Sequence, residues 1–161
     1  MFDTIAGLPL HPLVVHATEV TVPLAALVLV VAAFWPRFRA WAGYLPVILS
    51  FAAVILVPIS TQSGEALQEH LAENPLIRTH AEMAEGLLPW VLGLLIASGA
   101  LLWWTRNERT GAAPREPRTV MIVIMVAVVL VTAGTMVQAI RIGHSGATAV
   151  WSTTVAAKPA G

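Results

Sequence analysis

The sequence predicts an all-α integral membrane protein. Its four spans are expected to pack up-down-up-down as a bundle, with a short interfacial helix in the outer loop between spans 2 and 3. Three observations carry this. Hydrophobic residues make up 57% of the 161 positions and charged ones only 11%, where a soluble domain carries about a quarter charged. The apolar residues gather in four stretches, each near the 17–25 residues a helix needs to cross hydrocarbon. None of the stretches alternates as barrel strands do, and in lipid only a helix or a closed barrel satisfies its own backbone.

Span 1 is read over 13–35, "LVVHATEVTVPLAALVLVVAAFW". No basic segment precedes it, so it is expected to be retained rather than cleaved as a signal peptide. Span 2 is read over 41–60. "SGEALQEHLAEN" then reads as a short helix, with Glu65, Glu69 and Glu73 on one side and Ala66, Leu67, His70 and Leu71 on the other. Asn74-Pro75 ends it and suits the start of the next helix, or Thr79 and Glu82 form a capping box. Span 3 is read over 78–104 and span 4 over 119–142. Gly93, Ala97, Gly99 and Gly134 mark close helix packing. No internal repeat is apparent. Residues 1–151 form one membrane domain and 152–161 a frayed tail.

Charge sets the expected orientation. Arg37, Arg39, Arg106, Arg109, Arg115 and Arg118, six of the nine Lys and Arg residues, lie in the loops after spans 1 and 3. Those loops are therefore expected on the cytoplasmic side and both termini outside. The absence of cysteine excludes disulfides and iron–sulfur ligation. Zero net charge argues against nucleic acid as a partner.

All five histidines, His11, His16, His70, His80 and His144, fall on the outer side in this topology. The helical rise places His16 about 28 Å above Trp35, His80 about 36 Å above Trp104 and His144 about 36 Å above Val120. Three helices thus bring ionisable groups to one layer. Glu19 lies one turn below His16, and Gln138 and Arg141 lie just beneath the layer. An ionisable group at that depth normally faces a partner in the bundle, which for Glu19 is His16 or Arg141. Imidazole is a common ligand for Zn, Cu and Fe, and a carboxylate can complete such a site. His16, His80 and His144 are the candidate cofactor ligands, Glu19 completes a metal set, and His11 and His70 are secondary. Serving instead as ordinary interfacial side chains is the competing role, strongest for His11 and His70. No hydrolase triad, phosphate loop or nucleotide fingerprint is readable.

"GLPLHPLVVH", "SGEALQEHL", "THAEMAEG" and "GHSGATAVW" resemble, in order and spacing, a bacterial family of four-helix membrane proteins known as domain of unknown function 2231. The resemblance runs from about Leu8 to Trp151 and picks out His11, Pro12, His16, His80, Gly143, His144 and Gly146. It departs from the usual pattern at Ala17-Thr18, at Glu19 and at Ala147. It implies a fold and a set of motif positions, a bacterial plasma membrane location, and a layout similar to small membrane cytochromes.

The functional expectation is therefore a membrane protein binding haem b or a transition metal ion for electron transfer at the outer leaflet. The alternative is a non-catalytic accessory subunit of a larger, perhaps respiratory, membrane complex. In either case the partners are the lipid bilayer and other membrane subunits or a second copy of the chain.

Overall fold

The structure is a computed structural model. It describes residues 4–5, 8–69, 74–107 and 117–156, with side chains for 11–69, 74–107 and 117–151. Six helices are described: α1 (Leu10–Phe34), α2 (Pro36–Ala42), α3 (Leu45–Gln68), α4 (Pro75–Glu85), α5 (Leu88–Trp104) and α6 (Arg118–Ala156). A two-residue antiparallel ladder, Thr4–Ile5 with Leu8–Pro9, leads into α1. Four stretches are long and apolar enough to cross a membrane: His11–Phe34, Leu45–Gln68, Pro75–Trp104 and Arg118–Trp151.

The spans pack in a ring. α1 and α5 each lie against α3 and α6 and touch only lightly across the diagonal, while α4 rests mainly on α6. Val22, Ala25, Ala26, Leu29, Ala32 and Ala33 form the buried stripe of α1, at the three-and-four spacing of one helix face. Val91, Leu94, Ala97 and Leu101 do the same for α5, and Ala53 and Val57 for α3. Much of the core is alanine. In lipid, helices gain from close van der Waals approach rather than from hiding apolar surface, so small residues mark their seams. The Trp90 ring occupies the space a side chain at Gly134 would need, and a Cβ at Gly93 would meet Val131 at 3.1 Å. Gly99 faces open space and is not a packing site. Large residues point outward instead: Ile96 is 72% and Val123 67% exposed.

Four sequence expectations need correction. Ser63–Gln68 continues α3 rather than forming a separate interfacial helix, so span 2 runs from Leu45 to Gln68. The glutamates, spaced at four, extend the same helix, and nothing between Ile59 and Ser63 breaks it. The short helix of this loop is α4. Its Asn74 cap accepts from the Leu76 N–H at 2.9 Å, with Pro75 in the first turn. Thr79 and Glu82 form no capping box: Thr79 donates to the Pro75 carbonyl and Glu82 pairs with Arg78. Span 3 is not one helix but α4 and α5. Pro89 has no N–H for the Glu85 carbonyl, the Leu87 N–H turns to Ala84, and Gln138 donates to the Met83 carbonyl at 2.7 Å. Gln138 thus meets a backbone acceptor at the break. α6 continues to Ala156, into the segment read as a tail.

At the opposite end, Trp35 at the cap of α2 and Phe38 and Trp41 on it form a chain of ring contacts, with centroids 6.3 and 5.6 Å apart. Gly43 ends α2 at φ +62°, where only glycine is unstrained. Arg39, read as a loop charge, is only 6% exposed and donates to the Ala32 and Ala33 carbonyls at 2.8 and 3.1 Å. It closes the C-terminus of α1, where a cation also suits the helix dipole.

Candidate functional site

A cavity of about 560 Å³ lies where α1, α3, α4 and α6 meet. Its wall is mostly apolar, with His11, Glu19, Glu65 and His80 among its polar residues. The start of α1 brings His11 against the end of α3, and the middle of α4 brings His80 against the C-terminal part of α6. Both rings line the same cavity.

Each imidazole is held in the same way. His11 Nδ1 lies 3.1 Å from the Ser60 carbonyl and 3.2 Å from Ser63 Oγ. A carbonyl can only accept, so Nδ1 carries the proton. Ser63 spends its own hydrogen on Ser60, at 3.0 Å. His80 Nδ1 lies 3.0 Å from Ser145 Oγ, which donates to the Ile142 carbonyl at 2.9 Å. By the same network logic His80 Nδ1 donates to Ser145. Beside each serine is a glycine against which the ring rests: a Cβ at Gly64 would come within 2.9 Å of His11 Cε1, and one at Gly146 within 3.0 Å of His80 Cε1. The bundle therefore contains two clasps of one design, a histidine on one helix resting on a Ser-Gly pair of the helix it packs on. When neutral, both rings leave Nε2 with its lone pair available, the tautomer that ligating histidines take when Nδ1–H is tied to a second group.

No repeat along the chain produces the two clasps. The repeated unit is three residues drawn from two helices, which a scan along the chain does not detect. Ser60, Ser63 and Ser145 were not anticipated, and neither was Gly64. Ser-Gly also occurs at Ser98-Gly99 in mid-span, so the dipeptide alone is no signal without a histidine facing it.

Of the predicted ligands, the structure brings His80 to the cavity, together with Glu19 and the secondary candidate His11. It does not bring His16 or His144. Both are exposed and neither lines the cavity, and His16 donates to the Pro12 carbonyl of its own helix at 2.6 Å. His70 lies outside the described residues. Among the described residues, no group of three or more His, Asp or Glu side chains is placed to hold a metal ion. Helical rise gives depth but not azimuth. Five residues turn a helix by about 500°, so His11 and His16 point about 140° apart and cannot share a face.

A family profile for predicted membrane proteins, DUF2231, matches residues 7–159. The chain belongs to the DUF2231 family. Neither a curated protein nor a solved structure matches it. In this DUF2231 protein both clasps, with their histidines, serines and glycines, fall inside the matched range.

Proposed function

We propose that this chain is a small redox protein of the bacterial plasma membrane that holds haem b between His11 and His80. The observation that carries the reading is the pair of clasps: two imidazoles on one cavity, each with Nδ1–H tied and Nε2 left to ligate. Two protein donors are too few for a tetrahedral metal site of the zinc type. A haem brings its own equatorial nitrogens and asks for one or two axial imidazoles. A cavity of about 560 Å³ suits an organic group rather than a bare ion. When bound, haem would supply one-electron chemistry. The chain's part is to orient both rings through Ser63 and Ser145 and to surround the group with apolar wall. The arginine-rich loops at the far end support placing the histidine end on the extracytoplasmic side.

The test is an absorption spectrum of detergent-purified protein, oxidised and then dithionite-reduced. A porphyrin band that shifts on reduction is expected. His11→Ala and His80→Ala remove or alter it, while His16→Ala and His144→Ala leave it. A featureless spectrum from folded protein overturns the reading.

A further inference from the structure

Glu19 is exposed on the surface of α1, about 12 Å deeper along the helix than His11. Among the described residues no ion pair joins it to His16 or Arg141, so the partners expected from the sequence do not hold it. A bare carboxylate at this depth is costly in lipid and marks a binding position. Pro23, four residues on, brings no N–H to the Glu19 carbonyl.

A groove runs from this point down the outer face between α1 and α6. Glu19, Pro23 and Met136 line both the groove and the histidine cavity, so the two meet at Glu19. From Glu19 to Val30 the groove follows α1 for about 16 Å. Its walls are aliphatic, with small Ala26 and Ala133 along it. Its one hydroxyl, on Thr132, is already spent on the Val128 carbonyl at 2.7 Å. The complement is an uncharged amphiphile: a head that donates hydrogen bonds at Glu19 and a linear tail along the groove. Phosphate and carboxylate heads are repelled.

We propose that this groove seats a lipid-soluble quinol, one hydroxyl donating to Glu19 and the tail lying between α1 and α6. The choice of a quinol over other hydroxyl-headed lipids rests on the haem reading, because the head then stands at the mouth of an electron-transfer cavity.

The test uses the full chain in phosphatidylcholine nanodiscs and a para-quinol with a diazirine at the end of a ten-carbon tail. Photolabelling is expected on α1 and α6 around Leu27, Val30 and Val129, displaced by unlabelled decyl quinol and not by dodecanol. Glu19→Gln weakens labelling roughly tenfold, the loss of a charge-assisted hydrogen bond. Leu27→Trp, at an exposed position that does not burden folding, blocks it. Adducts spread over all four spans, equal competition by dodecanol, or no effect of Leu27→Trp each overturn the proposal. The paired readout separates it from the haem reading. Labelled but colourless protein removes the haem and keeps the groove. Coloured protein without groove labelling removes the groove alone.

Discussion

The two ends of the bundle handle polar groups in opposite ways. At the arginine end, Arg39 reaches carbonyls only six and seven residues away in the chain. At the histidine end, His11, His80 and Gln138 reach across helices, over 49, 65 and 55 residues. A local bond closes a helix terminus and adds little about where that helix sits. A bond between helices fixes their relative height and rotation while leaving space between them, which is how a cavity survives in a bundle built on close approach. The difference teaches that the arginine end serves stability and the histidine end serves position.

Substitutions can break that contrast, and the largest effect is expected between the two ends. Gly134→Leu forces the Trp90 ring from its seat on α6, at a cost of about 3 kcal/mol. Thermal unfolding in detergent should show the loss along with collapse of both ends. Next, Arg39→Met leaves the Ala32 and Ala33 carbonyls without their charged donor, costing about 2 kcal/mol. The expected signature is a lower unfolding temperature with cofactor affinity unchanged, and a matching fall in affinity would erase the distinction.

Gly64→Val and Gly146→Val should do the reverse. Each displaces a ring from its glycine seat at a stability cost of about 1 kcal/mol, yet haem titration should show binding lost. Because the clasps share one design, equal losses at the two positions sharpen the comparison, and a loss at one alone breaks it. Ser145→Ala removes the hydroxyl's two neutral hydrogen bonds, from His80 and to the Ile142 carbonyl, at a net cost of about 1 kcal/mol. Its ring stays in place but turns more freely, so a shifted or broadened absorption band is expected. Smallest is Glu82→Gln. Its pair with Arg78 is exposed on α4, and its loss should move stability by about 0.3 kcal/mol or less.

How far the site was legible differs from residue to residue. His80 and Glu19 were readable because an imidazole or carboxylate beside an apolar run stands out by its cost. His11 was given a secondary place, since Pro12 suggested a position ahead of the helix, whereas Pro12 lies in the first turn of α1 and His11 lines the cavity. His16 and His144 were grouped with His80 by depth without azimuth, and both lie exposed, away from the cavity. Gln138 was placed at the right level, but the carbonyl it meets follows from the break before Pro89. Ser63 and Ser145 carry no sequence signal until a ring is known to face them.

By itself, the sequence determined the membrane class, the four spans and the gathering of histidines toward one end. These depend on composition and on rise per residue, which are properties of single segments. Only the tertiary structure decided which two histidines share a cavity, which glycines seat them and where the carboxylate meets the groove between α1 and α6. Those depend on how each helix is rotated about its axis. Rotation is set by packing against neighbours distant in the chain, through contacts such as Trp90 on Gly134 and Gln138 on Met83, and no single span contains that information.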